Sequence, residues 1–372
     1  MAHVCVRPVR TRRDLGAFLR LPWHVYRPSS PWIPPLRRAV RDLLDPRHPF
    51  WSHGERELFL AESRGTPVGR IAAIVNHRHN AFHGERTGFF GFFEALPRED
   101  APPALLEAVA EWLRRRGQKR LRGPVNPSTN YECGLLVEGF DTPPRVMMPY
   151  NPPWYARVLE NWGLRKAKDL VAYRFRVPET VPDRLARAAR AARRRLPGLV
   201  VRSVRLKAFR EELARIREIY NTAWEKNWGF VPMSEAEMER MARDLKPFLV
   251  PELVQIAEVD GEPAGFLMAL PDIHAALKPL NGRLGPLGLL RFFWRLRRIR
   301  EARLLTLGIK PAYRRRGVDA ALMEAALKAA QARGYREAEL SWILEDNWLT
   351  RRAAEAWGGR VSKIYRIYEA PL

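Results

Sequence analysis

Three consecutive arginines and a glycine lie between an apolar segment, residues 304–309, and a helical pattern that Gly334 closes. Pro311 ends strand pairing because proline has no amide hydrogen to donate. Gly317 at the start of the helix lets a ligand approach the backbone, and the free amides of the first helical turn attract phosphate. Arg314, Arg315 and Arg316 add charge and bidentate donors. Strand, basic loop, glycine and helix in this order predict a pyrophosphate site.

This segment resembles the coenzyme-A site of the GCN5-related N-acetyltransferase superfamily, whose motif reads Arg/Gln-x-x-Gly-x-Gly/Ala after the fourth strand. The resemblance implies that the loop amides hold the pyrophosphate of acetyl-CoA or a longer acyl-CoA. It also implies that the preceding strand bonds to the pantetheine arm. The cofactor-binding residues implied in this way are Leu307, Gly308, Ile309, Arg314, Arg315, Arg316, Gly317, Val318, Asp319, Ala320 and Asn347.

Downstream residues extend the resemblance. Residues 340–344 match the family's fifth strand, and Asp346 with Asn347 matches its asparagine near the cofactor. Trp357, followed by two glycines, and residues 365–368 match its closing pattern. The resemblance is strong over residues 250–372 and weaker over residues 1–175.

Two positions depart from the family pattern. Asp319 stands where the motif has glycine or alanine; it suits the helix dipole but repels phosphate unless it points away. Ala354 stands seven residues after Asn347, where the family often has an acid tyrosine. The usual proton donor for the departing thiolate is therefore missing from its usual place.

Acyl transfer to nitrogen needs a neutral amine, a path for its proton and polarisation of the thioester carbonyl. We expect Glu345 to be the base, with Asp346 and Glu225 as competitors, and Tyr365 (or Tyr368) to replace the acid. The alternative is that these carboxylates are solvated or cap helices, as most unpaired charges are exposed.

An internal repeat organises the chain. Residues 58–75 and 254–271 each read as strand, turn and strand, and share Ala-Glu followed by Gly-x-Pro-x-Gly at an offset of 196 residues. A Trp-Gly pair recurs at an offset of 195 residues. Two anchors at nearly one offset indicate two copies of one fold. The order of elements combines an antiparallel hairpin with a βαβ crossover, which predicts an α/β (mixed α+β) sheet.

The predicted domains are a degenerate copy over residues 1–176 and an acyl-CoA-binding copy over residues 201–372. Residues 177–200 between them are proline-flanked, basic and poor in large apolar groups. This composition predicts a solvated helix that links the domains.

The first copy has no Arg-x-x-Gly loop. After the strand over residues 88–94, Glu99 and Asp100 stand where phosphate would bind. This copy is therefore not expected to hold coenzyme A in the usual way.

Residues 122–155 form a long segment rich in proline and glycine, as functional loops in compact domains often are. It is predicted to line an acceptor pocket between the domains, or else to be a covering loop tied down by its own side chains. Cys133 lies in it without a base at fixed spacing and is predicted to be a buried thiol. The candidate acceptor-binding residues are Asn130, Tyr131, Tyr150, Asn151 and Tyr155.

Residues 286–303 predict an amphipathic helix whose apolar face carries Leu289, Phe292, Phe293, Leu296 and Ile299. Such a helix can pack on the core, which is the preferred interpretation, or lie in a membrane interface with its arginines. Peripheral membrane contact through this segment therefore stays open.

The formal net charge of +24 fits nucleic acid, an anionic membrane or a polyphosphorylated ligand, or only the arginine-rich composition of a GC-rich genome. Nucleic acid is disfavoured because nothing resembles a zinc finger, a KH loop or an RNP aromatic motif. The two isolated cysteines exclude a cysteine-built zinc site, and the spacing of His77, His79 and His83 does not suit a metal. With no apolar run of spanning length and no signal pattern, a cytoplasmic location is expected. The oligomeric state stays open.

The two-copy layout and the segments 134–141, 150–155 and 341–347 resemble a bacterial subgroup related to bacterial ceramide synthase. The resemblance implies an acyl-CoA-dependent N-acyltransferase acting on a small-molecule or lipidic, sphingoid-like amine. A non-catalytic acyl-CoA or lipid binder and a basic RNA-binding protein are the alternatives.

Overall fold

The computed structural model describes residues 3–372, which form two compact units. Unit 1 extends to Leu170 and includes residues 277–292 and 363–372, whereas unit 2 comprises residues 171–276 and 293–362. The units are thus discontinuous in sequence, and the end of the second copy packs within unit 1. The domain boundaries at residues 176 and 200, which describe copies of a repeat, stay a prediction.

The elements up to β9, which crosses the first unit boundary, are strands and helices. In chain order they are β1 (Val4–Pro8), α1 (Arg12–Arg20), α2 (Pro22–Val25), α3 (Arg37–Leu43), β2 (Gly54–Ser63), β3 (Thr66–Asn76), α4 (His77–His83), β4 (Thr87–Ala95), α5 (Ala101–Arg114), β5 (Arg120–Gly123), β6 (Val125–Asn126), β7 (Glu132–Cys133), β8 (Leu135–Glu138), α6 (Tyr155–Trp162) and β9 (Arg165–Arg176).

The remaining elements repeat a similar order. They are α7 (Asp183–Arg195), β10 (Leu199–Ser203), α8 (Phe209–Ala223), α9 (Glu235–Leu245), β11 (Val254–Val259), β12 (Glu262–Pro271), α10 (His274–Leu277), α11 (Pro286–Leu296), β13 (Glu301–Ile309), α12 (Val318–Ala332), β14 (Glu337–Leu344), α13 (Trp348–Ala356) and β15 (Arg360–Pro371).

In unit 1 the strands follow the order β1-β2-β3-β4-β5, and the C-terminal part of β15 continues the sheet beside β5. The pairs are antiparallel except for β4 with β5. Helix α5 packs directly on the sheet: a Cβ on Gly88 would lie 2.3 Å from a methyl carbon of Leu113. Leu105 and Leu113 are fully buried in this core.

Unit 2 has the order β10-β11-β12-β13-β14 with the second half of β9 beyond β14, and β13 with β14 is a parallel pair. Helices α12 and α8 both contact this sheet. Ile219 and Ala223 of α8 are buried against Ile256 and Phe266 of the sheet. The mixed α/β fold class expected from the sequence is confirmed.

The two copies share backbone detail. Hairpins β2–β3 and β11–β12 both turn through two residues of positive φ, Arg64 with Gly65 and Asp260 with Gly261, as type I′ turns require. In each hairpin the register shifts after an alanine, Ala61 in the first and Ala257 in the second. These positions are 196 residues apart, so the repeat predicted from sequence is present in the structure.

Helix α7 lies in the segment expected to be a linker helix. Its Leu185, Ala189 and Ala192 are buried, and α7 packs along α12, where Arg193 forms a 2.8 Å ion pair with Glu324. Only its other faces are solvated. This helix is therefore a packed part of unit 2.

The preferred interpretation of residues 286–303 was that the apolar face packs on the core. It is correct for Phe292 and Ile299, which are buried, and wrong for Leu289 and Phe293, which are more than 40% exposed. The apolar stripe is too wide for one packed face, so part of it is left at the surface. No helix among residues 3–372 is long and apolar enough to cross a membrane.

Candidate functional site

Strands β13 and β14 separate shortly after they begin. Their parallel pairing runs from Glu301 opposite Glu337 to Leu304 opposite Leu340. Among residues 3–372, β13 is paired only with β12 from residue 305 onward, up to Ile309 opposite Gly265. The backbone amides and carbonyls on the β14 side of residues 305–309 are left without a strand partner. An extended ligand with its own amide groups can add there as a strand.

A bulge bends β13 at this point. Met268 of β12 lies opposite Thr306 and Ala269 lies opposite Leu304, so Leu305 is the extra residue. Bulges bend a strand and re-aim its side chains. Within the described part of the chain, the Thr306 Oγ1 atom is buried without a hydrogen-bond partner. The strand thus has an unsatisfied hydroxyl beside its unpaired backbone.

The three arginines of the basic loop after β13 differ in their contacts. Arg314 donates from Nε to the carbonyl of Ile309 (3.2 Å) and from Nη2 to that of Ala223 (2.6 Å), so it ties the loop to the end of α8. Arg315, at φ +59°, and Arg316 are exposed and form no hydrogen bond or ion pair within residues 3–372. These two guanidinium groups are available to an anion.

Gly317 is the N-cap of α12 in the left-handed region, at φ +86°. A Cβ there would lie 3.0 Å from the Cβ of Ala192 in α7, so glycine is required by both backbone and packing. Val318 and Ala320 are buried, whereas Asp319 is exposed. The first turn of α12 presents its free amides beside the exposed arginines, an arrangement suited to phosphate.

The indole of Trp224 covers the middle of the splayed strand, because a Cβ on Gly308 would lie 2.3 Å from its ring. Trp224 directly follows α8, whose last carbonyl is bonded by Arg314. Glycine at residue 308 lets the tryptophan close over β13. The unpaired edge of β13, the indole beside it and the basic loop together suit an extended ligand that ends in a pyrophosphate. The contribution of Trp224 was missed from the sequence because it depends on a contact 84 residues away.

The candidate bases lie after the two elements that flank β13. Glu345 is half-buried after β14, and its backbone carbonyl accepts from Arg351 Nη1 (2.8 Å). Asp346 and Glu225, the latter next to Trp224, are exposed. The Asn347 Oδ1 atom accepts from the amide of Thr350 (3.3 Å) and caps α13, a structural role that accounts for an asparagine here.

The candidate acids lie in unit 1, whereas the basic loop lies in unit 2. Tyr365 is fully buried beside Gly134, whose Cβ would lie 2.9 Å from that of the tyrosine. Tyr368 is also fully buried and donates to Glu160 Oε1 (3.0 Å). Neither phenol is accessible to solvent.

A buried polar chain that sequence reasoning missed lies where β13 and β14 begin to diverge. Arg303 donates from Nε to Ser341 Oγ (2.8 Å) and from Nη2 to its carbonyl (3.0 Å), and the serine hydroxyl donates to Glu339 Oε1 (2.8 Å). All three are at least 95% buried. The sequence signal is a charged residue in the interior of each apolar strand, Arg303 in β13 and Glu339 in β14, and such groups need partners when buried.

The corresponding gap in unit 1 is filled by the chain itself. Strands β4 and β5 pair only from Thr87 to Phe89, and the β6–β7 hairpin then enters. A Cβ on Gly91 would lie 1.8 Å from the carbonyl oxygen of Val125, and the Phe92 amide donates to Asn126 Oδ1 (2.6 Å). Asp100, one of the two acidic residues expected where phosphate would bind, pairs with Arg98. Among residues 3–372, the gap between β4 and β5 is therefore closed by the chain's own hairpin, and no Arg-x-x-Gly loop follows β4.

Two of the predicted acceptor-binding residues are structural. Tyr155 is fully buried and donates to Glu94 Oε2 (3.0 Å), and Asn151 bonds both the amide and the carbonyl of Leu136. A ligand cannot reach either side chain without rearrangement of the core, so these contacts do not support their assignment to an acceptor site, which stays a prediction. Burial of polar side chains is decided by long-range packing, which the loop's composition did not indicate.

The other three predicted acceptor-binding residues are half-buried. Tyr131 lies near the rings of His48 and Phe50, and the amide of Asn130 donates to Ser128 Oγ (3.3 Å). The hydroxyl of Tyr150 donates to the carbonyl of Phe140 (3.0 Å). The covering-loop alternative accounts for these contacts.

The prediction that Cys133 is a buried thiol is confirmed. His79 is buried, 3.3 Å from Glu85, and burial lowers its pKa to about 4. No group of three or more metal-ligating side chains is found within residues 3–372.

Comparison with known proteins agrees with this geometry. The model of the acetyltransferase (GNAT) family matches residues 213–358, which span α8 to α13. A tandem GNAT protein from the clavulanic acid biosynthesis pathway has a TM-score of 0.57 at 13% identity and covers 99% of this chain and 98% of its own. A GCN5-related N-acetyltransferase from Sphaerobacter thermophilus has a TM-score of 0.50 at 14% identity, covering 99% and 95%. These structures are similar in fold.

Two curated relatives are similar along the whole chain. Bacterial ceramide synthase of Caulobacter vibrioides is 38% identical, over 100% of this chain and 98% of its own length. Protein YghO of Escherichia coli is 36% identical, over 99% of this chain and 95% of its own. Together with the splayed strand, the basic loop and the two copies of one fold, they establish that this chain belongs to the acetyltransferase (GNAT) family, in a tandem arrangement whose first copy is degenerate.

Proposed function

We propose that the protein transfers an acyl group from coenzyme A to the nitrogen of a lipidic amine. The observation that carries the proposal is the separation of β13 from β14 after Leu304, directly followed by the exposed Arg315 and Arg316. An open strand edge binds an amide-containing arm, and the loop binds its pyrophosphate. Unit 1, whose gap is filled by its own hairpin, is not assigned a coenzyme-A site.

The reaction needs one bond made and one broken. The amine nitrogen attacks the thioester carbonyl carbon, the C–S bond then breaks, and the sulfur leaves as a thiolate that takes up a proton. The nitrogen loses a proton, for which Glu345 is the proposed base and Asp346 and Glu225 are the alternatives. An unpaired amide of residues 305–309 is suited to stabilise the oxyanion. The buried phenol of Tyr365 is the least suited of the groups first considered for the acid.

The acceptor class is inferred from the relatives. The protein of Caulobacter vibrioides, 38% identical, is named a bacterial ceramide synthase, and ceramides are N-acylated long-chain amino alcohols. Because similarity covers both chains almost completely, we propose a long-chain amino alcohol as acceptor and a long-chain acyl-CoA as donor. Family membership alone does not fix a substrate, so acceptor and chain length both need a direct test.

The test measures binding and turnover separately. The purified protein is titrated with coenzyme A, acetyl-CoA and palmitoyl-CoA while its melting temperature is followed; a ligand at about 100 times its Kd stabilises the native state by roughly 2.7 kcal/mol. Free thiol release is then measured with a sphingoid base and with short-chain amines. We expect stabilisation by all three ligands and turnover only with the long-chain amine. Turnover with short amines alone would overturn the lipid assignment.

The remaining alternative is a non-catalytic acyl-CoA or lipid binder, which the absence of tyrosine at residue 354 favours. Glu345→Gln and Glu225→Gln distinguish it from an enzyme. If Glu345 is the base, its substitution lowers turnover at least about a hundredfold with unchanged palmitoyl-CoA affinity, whereas Glu225→Gln has little effect. Stabilisation by palmitoyl-CoA without thiol release for any amine would support the binder.

A further inference from the structure

Helix α11 carries an apolar stripe that is left exposed among residues 3–372. Leu287, Leu290 and Trp294 are 73%, 70% and 54% exposed. Their spacing of three and four residues places them on one side of the helix. Phe292, in contrast, is buried and holds the helix to the rest of the protein. The exposed stripe is therefore on the side of α11 that faces away from its packing.

The neighbouring residues enlarge this surface. Leu284, Leu289 and Phe293 are each more than 40% exposed. We call the six residues, 284, 287, 289, 290, 293 and 294, the α11 apolar surface. Single exposed leucines are ordinary, but a set of six neighbouring residues, five of them on one helix, marks an interaction site.

The charges around this surface have one sign. Residues 273–300 contain seven lysines and arginines and no aspartate or glutamate. Arg291 and Arg295 are exposed beside the stripe, and the guanidinium carbon of Arg298 lies 3.6 Å from the centre of the Trp294 ring. Tryptophan with arginine at the edge of an apolar stripe is typical of helices that lie in a membrane interface.

We propose that α11 binds the surface of an anionic lipid bilayer, with Leu287, Leu290 and Trp294 inserted among the acyl chains and the arginines on the lipid phosphates. A nucleic acid would satisfy the arginines but would leave the apolar side chains of Leu287, Leu290 and Trp294 in water. Binding to nucleic acid therefore does not account for the stripe. The uniform positive charge selects an anionic partner. The inference goes beyond the proposed function, because it uses no residue of the coenzyme-A loop.

The test is flotation of the full-length protein with vesicles of phosphatidylcholine alone and of phosphatidylcholine with 30% phosphatidylglycerol. The variants are Leu287→Ser with Leu290→Ser and Trp294→Ser, and Arg291→Gln with Arg295→Gln. The matched controls are Leu349→Ser, a leucine 75% exposed on another helix, and Arg184→Gln with Arg187→Gln on α7. Melting temperature and palmitoyl-CoA binding establish that each variant is folded.

We expect wild type and controls to float with the anionic vesicles only. The apolar variant should lose at least about tenfold in partition, and the double arginine variant about 25-fold, which is about fivefold for each charge. High salt should weaken binding. Absence of flotation, or equal flotation of all variants, would overturn the proposal. Assembly into dimers that the apolar variant abolishes, without vesicle binding, would also overturn it and assign the surface to a second copy.

Discussion

The Asn126 Oδ1 atom lies 2.6 Å from the backbone nitrogen of Phe92 and accepts its hydrogen bond. In unit 2 the corresponding stretch of β13 has no strand partner on that side. One copy of the fold thus satisfies its opened strand with its own hairpin, whereas the other leaves it open. The difference explains physically why only the second copy is proposed to take a ligand.

The hairpin in unit 1 is predicted to be a stability element. Asn126→Ala leaves the buried Phe92 amide without an acceptor, which costs about 1–3 kcal/mol of unfolding free energy. Gly91→Ala, whose new Cβ would meet the Val125 carbonyl, should cost about 3 kcal/mol. Denaturant unfolding measures both, with Gly285→Ala as control because nothing lies within 4 Å of its Cβ. Palmitoyl-CoA affinity should be unchanged, and a large loss would assign the ligand to unit 1.

The arginines of the basic loop are predicted to differ in their effects. Arg315→Gln with Arg316→Gln should weaken coenzyme-A binding at least about tenfold, since each charged contact is worth roughly 1–3 kcal/mol, and should leave the melting temperature unchanged. Arg314→Gln should lower the melting temperature as well, because it releases the carbonyls of Ile309 and Ala223. Arg352→Gln is the exposed control.

Calorimetric titration with coenzyme A and with an acyl-pantetheine, which lacks the pyrophosphate, checks the assignment of these contacts. The loss of affinity caused by Arg315→Gln with Arg316→Gln should be absent when the ligand is acyl-pantetheine. An equal loss with both ligands would show that the arginines do not contact the pyrophosphate.

Alanine substitutions at two glycines with similar backbone conformation distinguish the effect of conformational strain from the effect on ligand binding. Gly317 and Gly334 both have positive φ, +86° and +72°, so alanine at either costs about 1–2 kcal/mol. At residue 334 the nearest atom is 3.7 Å away, whereas at residue 317 the new Cβ lies 3.0 Å from that of Ala192. Gly317→Ala should therefore lose more unfolding free energy and also coenzyme-A affinity. Equal affinity losses in both variants would contradict a ligand at the start of α12.

Much of this site was readable from sequence because its parts are local. The strand over residues 304–309, the arginines and Gly317 are consecutive, and their order alone indicates the geometry. The hairpins were recognised because a two-residue turn at Gly65 and Gly261 has a sequence signature. Local rules therefore gave the loop, the helix that follows it and the repeat.

The misses share a physical cause, which is dependence on distant contacts. Tyr155 looked available in a tyrosine-rich loop but donates to Glu94, 61 residues away. The sequence of α11 has the same periodicity whether its apolar residues face a core or the surface. Asn347 matched a family position, and in the structure its side chain caps α13. The periodicity and spacing of residues in the sequence do not indicate which distant groups these residues contact.

Asn347 is predicted to act through its cap. Asn347→Ala should cost about 1 kcal/mol of unfolding free energy, and Asn347→Ser should recover most of it, because serine caps equally well. If the cap is its only role, thiol release follows the same order and the serine variant is close to wild type. Turnover that stays low in Asn347→Ser, in spite of recovered stability, would indicate a direct contact with substrate.

Glu94 is predicted to make unit 1 less stable as the pH rises. It is buried with Tyr26 and Tyr155, whose hydroxyls donate to it, and burial raises its pKa to about 7 from an ordinary 4.5. Between these values the folded state holds a proton that the unfolded state releases. The contribution of Glu94 to the free energy of unfolding is therefore fully present below pH 4.5 and is lost as the pH rises through 7. The loss amounts to up to ~3 kcal/mol.

Glu94→Gln keeps the shape of the side chain and removes this titration. The free energy of unfolding, measured with urea from pH 5 to pH 8, should fall less steeply with pH in the variant than in wild type. The exposed Glu111→Gln is the control and should reproduce the wild-type slope. Because other groups also titrate, the comparison rests on the difference between the two curves. Arg70 is buried in the same core, and its positive charge opposes the rise in the pKa of Glu94. Parallel curves for Glu94→Gln and wild type would mean that the carboxyl is ionised in the folded protein and that this guanidinium, rather than a proton, compensates its burial.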